Sequence, residues 1–206
     1  MALVKLNNRG VRSVSTFGSI SSLGTYTFIK KLTASSSATL SFVDGSSDVV
    51  LDNTYKEYLF TFNNIHPQND SGSFTFNLSI DGGSNYNVTK TTSHFRAYHY
   101  ESGAATGLEY DTGSDLAQST GYQILYDSIG NDNDQSSTGF LYLFNPSSTT
   151  FIKHFISTMQ FAGNGNFSMN TFIAGYGNTT SAVDAVQFKM SSGNIDAGDI
   201  CLYGIN

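Results

Sequence analysis

Strict alternation of apolar and polar residues along short segments is the feature that most constrains the fold. The clearest case is SFTFNLSI (73–80), where the apolar residues from Phe74 to Ile80 share one face and Thr75, Asn77 and Ser79 share the other. Successive side chains of a strand point to opposite faces, so this pattern predicts a strand with one buried face. The segment EYLFTFNNI (57–65) alternates in the same way and predicts a second such strand.

Further strand-like segments follow along the chain, separated by residues that favour turns. GFLYLFN (139–145) is apolar on both faces and predicts a strand buried on both, while DICLYGI (199–205) predicts a last strand with Ile200 and Leu202 facing the core. No segment keeps a helical apolar period over three turns. The remaining segments predicted to form strands are TYTFIKKL, ATLSFV, HFRAYHY, YQILY, FIKHFISTMQFAG, NFSMNTFIAGYGN and AVQFKMSSG.

Eight to ten strands without intervening helices predict an all-β, antiparallel, jelly-roll-like β-sandwich. Residues 1–24 lack clean periodicity, and we interpret them as an extended basic arm. Residues 25–206 then form a single sandwich domain, a length that is ordinary for all-β domains.

Charge is unevenly distributed along the 206 residues, whose formal net charge is −6. Five of the ten basic residues precede the first acid, Asp44, so the first 43 residues carry +5; the other five and all sixteen acids give the remainder −11. Such asymmetry indicates an arm that docks on protein, with a merely solvated arm as the alternative. Nucleic acid is a poor partner because the acidic body would repel phosphates. The basic residues of the predicted docking region are Lys5, Arg9, Arg12, Lys30 and Lys31.

The stretch from Glu101 to Asp134 contains seven acids and neither lysine nor arginine. We interpret it as a long loop with short strand pieces such as YQILY inside it, and long loops in compact domains are often functional. Ring stacking on a sugar is a further hypothesis for Tyr98, Tyr100, Tyr110 and Tyr122, although the chain has no tryptophan. The candidate receptor-facing residues of the loop are Glu101, Glu109, Tyr110, Asp111, Asp115, Asp132 and Asp134.

Sequence motifs of catalysis and metal binding are missing. His94 and His99 lie five residues apart on one predicted strand, so they point to opposite faces and cannot chelate one metal. The segment GNDNDQSS (130–137) has the composition of a calcium loop but lacks its glycine and glutamate positions, so we interpret it as a polar turn. There is no HExxH, P-loop, GxSxG or GxGxxG motif. The sequence therefore predicts a protein that is not an enzyme and that binds no cofactor or metal.

Cellular location is predicted from the single cysteine and the hydropathy pattern. Cys201 alone excludes an intramolecular disulfide. No apolar run is long enough for a transmembrane helix, and the N-terminus lacks the apolar core of a signal peptide. We expect the chain to fold in the cytoplasm and not to insert into a membrane.

Four segments resemble a family of virion structural proteins of tailed phages that infect marine bacteria, especially cyanophages and pelagiphages. They are MALVKLNNRGVRSVSTFGSISSLG, YLFTFNNIHP, LFNPSSTTFIKHF and VQFKMSSGNIDAGDICLYGIN, and the resemblance spans essentially the whole chain. It implies a component of the virion, assembled in the host cytoplasm: a capsid decoration protein, a fibre or fibre-attachment protein, or a tail piece. The family contributes no catalytic residues.

Three hypotheses about function remain from the sequence. The first is a non-enzymatic virion structural protein that docks on other virion proteins through its basic arm and forms a homo-oligomer, with a trimer favoured by analogy. The second is an adhesin that binds a host surface receptor or glycan through the acidic stretch 101–134. The third is a virion-associated polysaccharide hydrolase, which needs two carboxylates held about 5–10 Å apart.

Overall fold

The computed structural model describes residues 26–205, which form twelve strands and no helix. All of the strand pairings are antiparallel, so the predicted all-β, antiparallel fold is confirmed. Within this range no helix could cross a membrane. The predicted arm, with Lys5, Arg9 and Arg12, lies outside the described residues. The strands are β1 (Tyr26–Ser37), β2 (Leu40–Val43), β3 (Glu57–Pro67), β4 (Gly72–Ser79), β5 (Lys90–Tyr100), β6 (Thr106–Tyr110), β7 (Gln123–Ile129), β8 (Ser137–Phe144), β9 (Lys153–Gly163), β10 (Phe167–Gly177), β11 (Ala185–Met190) and β12 (Ile195–Ile205).

The strands are arranged in two rows that face each other in a sandwich-like body. The long row has the order β1-β12-β3-β8-β9-β10-β5-β6. The short row has the order β7-β4-β11-β2. One pairing, between Ile129 of β7 and Gly163 of β9, joins the rows at one side and makes the sheet nearly closed.

Aromatic side chains fill the space between the two rows. The ring of Phe188, on β11 of the short row, lies 5.4 Å from that of Phe60 and 5.2 Å from that of Phe62, both on β3 of the long row. It also packs on Phe42 and Phe74 within the short row. All five side chains are completely buried. Because burial of apolar area contributes about 25 cal/mol per Å², this cluster holds the rows face to face.

Strand β4 is buried on both faces, whereas its alternation predicted one exposed face. The apolar face lies in the core as expected, but Asn77 and Ser79 on the other face are also completely buried. The Asn77 side chain donates hydrogen bonds to the carbonyls of Tyr86 (2.6 Å) and Thr120 (3.0 Å), which belong to segments that cross this face. Buried polar groups are tolerated where they are hydrogen-bonded in this way. Ile80, predicted in the core, lies beyond β4 and is 41% exposed.

The prediction that GFLYLFN is buried on both faces is wrong. Leu141 and Leu143 of β8 are completely buried in the core, but Phe140 is 37% exposed and Tyr142 and Phe144 are partly exposed. These aromatic residues lie on the outer face of the long row, over which the described part of the chain places no second layer. An apolar residue in a strand therefore did not indicate burial here.

The last strand, β12, lies inside the long row between β1 and β3. Ile200 and Leu202 are completely buried in the core, as predicted, and Tyr203 lies on the opposite face. Cys201, a free thiol, also points to that opposite face and is buried there. An interior position gives the backbone of β12 ladder partners on both sides.

The acidic stretch from Glu101 to Asp134 is not one long loop. It contains β6, which forms a hairpin with β5 at the end of the long row, and β7, which belongs to the short row. Leu125 and Tyr126 of β7 are completely buried. The sequence indicated β7 through YQILY but not β6, whose five residues, TGLEY, are largely exposed and lack an apolar period.

A buried lysine connects strand β5 to the segments that cover β4. The Lys90 side chain is completely buried, and its Nζ donates to the side-chain oxygen of Asn77 (2.5 Å) and to the carbonyl of Val88 (2.7 Å). Both acceptors are uncharged. Burial lowers the pKa of Lys90 to about 7. These contacts indicate that the amine has a structural role and that its titration affects stability.

Replacing Phe188 with alanine tests the aromatic cluster. Because Phe188→Ala leaves a cavity among completely buried rings, we expect the free energy of unfolding to fall by about 3–5 kcal/mol. Urea denaturation measures it. The matched control is Phe151→Ala, since Phe151 is 67% exposed and its loss should change stability by less than about 1 kcal/mol. Equal effects of the two substitutions would contradict the central role of Phe188.

The buried amine predicts a pH-dependent stability. With a pKa near 7 in the folded chain and about 10.4 unfolded, Lys90 binds more protons in the unfolded state between these values. Its contribution to the free energy of unfolding therefore rises with pH, by about 2 kcal/mol from pH 7 to 9.

Urea denaturation at pH 7, 8 and 9 should show that the wild-type chain gains about 2 kcal/mol relative to Lys90→Met over this range. Lys56→Met, which changes an exposed lysine, should keep the wild-type pH dependence. A constant difference between wild type and Lys90→Met would mean that Lys90 stays protonated in the folded chain.

Candidate binding site

A cleft of about 370 Å³ lies at the end of the long row, where its last strands extend beyond β9. We call it the tyrosine cleft. Strands β5, β6, β7 and β10 and the turn between β9 and β10 contribute to its wall. Tyr98 and Tyr100 share the face of β5 that carries the buried His94, so the cleft opens from the inner side of the long row. The lining residues are Arg96, Tyr98, Tyr100, Glu109, Ser128, Asn164, Gly165, Phe167 and Met169.

Three aromatic rings form one wall of the tyrosine cleft. The rings of Tyr98 and Tyr100 are 6.1 Å apart in an edge-on arrangement, and that of Phe167 is 5.3 Å from Tyr100. Across the hairpin, Gly107 allows Tyr98 to lie against the backbone of β6, since a Cβ there would be 2.8 Å from the tyrosine ring. Tyr98 and Tyr100 remain partly exposed and are thus accessible to a ligand.

Arg96 connects three carboxylates at the edge of the cleft. Its Nε lies 2.8 Å from Glu109 Oε1, and its Nη1 lies 3.2 Å from Asp111 Oδ2 and 3.5 Å from Asp127 Oδ1. The register of the β5–β6 hairpin pairs Arg96 directly with Glu109, while Asp127 comes from β7. One guanidinium among three carboxylates leaves a local formal charge of about −2 at neutral pH, which disfavours anionic ligands.

His94 lies behind the carboxylates and is completely buried. Neither ring nitrogen has a hydrogen-bond partner, and Nδ1 is 3.8 Å from Asp111 Oδ2. Burial lowers the pKa of His94, against the opposing influence of Asp111 and Asp127. The imidazole is outside the lining of the tyrosine cleft and has no contact with solvent, so it cannot exchange a proton with a ligand bound there.

The predicted acidic loop residues lie in three separate places. Glu101 follows β5 and lines a different cleft, next to Gln160 and Phe161. Asp132 and Asp134 lie in the exposed turn between β7 and β8. The other four lie on β6 and the turn after it but on its two faces: Glu109 and Asp111 pair with Arg96 on the inner face, whereas Tyr110 lies on the outer face and its hydroxyl donates to Asp115 Oδ2 at 2.7 Å.

Two of the five predicted docking residues are described, and both lie on strand β1. Lys30 is partly buried, and Lys31 Nζ lies 3.1 Å from Asp199 Oδ2 on the neighbouring β12. Among the strands of residues 26–205, β1 has a neighbour on one side only, so these lysines lie at an edge of the described long row.

Sequence reasoning missed Arg96 and Asn164 as members of the site. A signal for Arg96 was present: Ser102 and Gly103 favour a turn, and a hairpin closed there places Arg96 near Glu109. Asn164 gave no such signal, because only the packing of β7 against the β9–β10 turn brings it to the cleft. Of the four tyrosines considered for sugar stacking, only Tyr98 and Tyr100 line the cleft.

The polar turn 130–137 is held by its own hydrogen bonds. The backbone N–H of Asp132 donates to the side chain of Gln135, which is buried. Among residues 26–205, no group of three or more His, Cys, Asp or Glu is placed to hold a metal ion.

Comparisons with known proteins assign no family to the chain. No family model matches it, and neither a curated protein nor a solved structure resembles it significantly. The function is therefore inferred from the geometry described above.

Proposed function

We propose that the chain is a non-enzymatic structural protein of a phage virion, either a capsid decoration protein or a component of a tail or fibre. The order of the strands is the observation that carries this proposal. It is combined with the charge asymmetry of the chain and with the four segments that resemble marine phage virion proteins.

The strand order supports a jelly roll. Four neighbours of the long row, β1-β12-β3-β8, correspond in order to the four strands of the short row, β2-β11-β4-β7. Each strand of the first set is adjacent in sequence to one of the second: β1 to β2, β3 to β4, β8 to β7 and β12 to β11. Two sets of four strands wound together in this way are typical of jelly rolls, which occur in viral capsid and lectin domains. The hairpins β5–β6 and β9–β10 then extend the long row as insertions.

Docking on other virion proteins is assigned to the basic region. The chain carries +5 over residues 1–43 and −11 beyond, so the body would repel an acidic surface that the first residues attract. Assembly into a homotrimer is proposed by analogy with other jelly-roll proteins of virions.

Deleting residues 2–24 separates folding from docking. We expect the truncated chain to fold, because residues 26–205 contain a large buried core of their own, but to be lost from particles. Far-ultraviolet circular dichroism and thermal unfolding test the fold, and immunoblots of purified virions test incorporation. Incorporation at the wild-type level would overturn the docking proposal.

Gold-coupled antibody against residues 101–134 distinguishes the two virion locations. Even labelling of the head indicates a decoration protein, and labelling confined to the tail or its fibres indicates a fibre component. Virions without label and without the chain on immunoblots would contradict the virion proposal.

The second candidate function is recognition of a host surface glycan, and the tyrosine cleft favours it. Its volume of about 370 Å³ lies within the range of ligand pockets, which combine apolar walls with a few polar groups. Tyr98 and Tyr100 offer ring faces and edges to the C–H groups of a sugar, while Asn164 offers hydrogen bonds to its hydroxyls. The surplus of carboxylates favours neutral or amino sugars over acidic ones. A hydrolase gains no such support, because Arg96 already pairs with Glu109, a carboxylate of the cleft.

A glycan array tests the tyrosine cleft. We expect binding of neutral or amino sugars by the wild-type chain and a loss of at least tenfold in affinity for Tyr98→Ala, equivalent to about 1.4 kcal/mol. Tyr86→Ala is the matched control, since Tyr86 is a partly buried tyrosine outside the cleft. Equal binding by wild type and Tyr98→Ala, or silence of the wild type on the array and on host cells, would contradict glycan recognition at this cleft.

A further inference from the structure

We infer that the outer face of the long row is the surface through which copies of this chain associate. The inference goes beyond the proposed function, because two copies that pack this same face on each other form a two-fold dimer rather than a trimer, and it is independent of the location in a virion. We call this surface the outer patch. It consists of six large apolar side chains on β8, β9, β10, β5 and β6: Phe140, Ile156, Phe172, Phe95, Leu108 and Tyr110.

Strand register makes the outer patch continuous. Phe172 of β10 pairs with Phe95 of β5, which in turn pairs with Tyr110 of β6. The rings of Phe172 and Phe95 are stacked, with centroids 4.9 Å apart and planes 11° apart. On the other side of Phe172, towards β8, Thr158 of β9 pairs with both Phe172 and Phe140 and so lies between them. Five adjacent strands span roughly 19 Å, since neighbouring strands lie about 4.8 Å apart.

The exposed area of the outer patch is large for a monomer. The exposed fractions range from 36% for Phe172 to 73% for Leu108. Aromatic side chains bury about 150–250 Å² each, so the four half-exposed aromatic residues of the patch, together with Ile156 and Leu108, present roughly 600 Å². The largest apolar patch on a soluble monomer typically measures about 300–600 Å², and the outer patch lies at the upper end of this range. When the small residues between them, such as Ser93 and Ala174, are included, the exposed area of the face approaches about 800 Å². Each partner contributes about this area to a protein–protein interface of standard size.

The charge of the outer patch suits a second copy of the same chain. Outward-pointing positions of β8, β9, β10, β5 and β6 hold no Asp, Glu, Lys or Arg. The charged residues of these strands, including Lys90, Arg96, Glu109 and Lys153, point to the inner face. A chain of net charge −6 repels its copies over most of its surface, but two faces without outward-pointing charges on their strands meet with little of that cost. Asp115 contributes a carboxylate in contact with the patch, since it accepts a hydrogen bond from Tyr110 at the rim. Depletion of charge and enrichment in aromatic residues are also typical of interface cores.

The side chains of the outer patch fit a protein surface better than a sugar. Phenylalanine, leucine and isoleucine offer no hydrogen bonds to hydroxyl groups, and Tyr110, the one hydroxyl among the six, already donates to Asp115. A sheet with one uncovered apolar face resembles half of a β-sandwich, and a second sheet can pack on it at about 10 Å.

The test measures the molar mass of the full chain across a dilution series, by size-exclusion chromatography with light scattering and by sedimentation equilibrium. We expect an oligomer whose dissociation constant rises by at least 30-fold in Phe172→Lys and in Ile156→Lys, the change that a loss of about 2 kcal/mol at a hot spot produces. Phe151→Lys is the matched control, because Phe151 is more exposed than either but lies outside the strands of the patch. It should associate like the wild type.

Two variants at different positions keep the test decisive if one of them unfolds, and circular dichroism verifies the fold of each. A monomeric wild-type chain at every concentration would overturn the inference, as would an oligomer that both lysine variants leave unchanged. A wild-type monomer that associates only after deletion of residues 2–24 would also overturn it, since the first residues would then cover the patch. Each of these outcomes is separate from incorporation into virions, which the arm deletion tests.

Discussion

Packing of aromatic rings between the two rows is the interaction on which the rest of the structure depends. Phe188 contacts Phe60 and Phe62 across the gap and Phe42 and Phe74 within its own row. Within residues 26–205 the rows share one strand pairing, at Ile129, and the backbone hydrogen bonds beside it lie on the same side, so the backbone does little to hold the rest of the rows together. Burial of these rings is therefore what sets the relative position of the rows, and through it the position of β7 against the last strands of the long row.

The unequal length of the rows creates the tyrosine cleft, one of the two surfaces to which we assign a function. The long row has eight strands and the short row four, so β6 and the last residues of β5 extend beyond the core. On their inner side, the space next to β7 becomes the tyrosine cleft. The outer patch has a different origin, because it lies on the face of the long row that points away from the short row, across β8, β9, β10, β5 and β6. The two faces of the long row thus separate a polar ligand site on the inner side from an apolar association surface on the outer side.

The candidate site could be predicted only in part. Glu109, Tyr98 and Tyr100 were considered from the sequence, because acidic and aromatic residues stand out in their segments. Arg96 was not considered from the sequence, although it pairs with Glu109 and Asp111 of the acidic stretch that was predicted to face a receptor. Its role depends on two registers, that of the β5–β6 hairpin and that of β7, and a change of one residue in either would turn the partner away. Asn164 reaches the cleft only through contacts between distant segments.

By itself the sequence determined the class of the fold and the positions of most strands, because period-two alternation and turn residues act locally. It also determined the inward faces of β3 and β12, where Phe60, Phe62, Ile200 and Leu202 are buried as predicted. The tertiary structure alone decided which opposite faces are covered. Asn77 is buried because distant segments cross β4 and accept its hydrogen bonds, while Phe140 is exposed because no described segment crosses β8. The covering of a strand's second face depends on contacts between residues far apart in the chain, which no local pattern encodes.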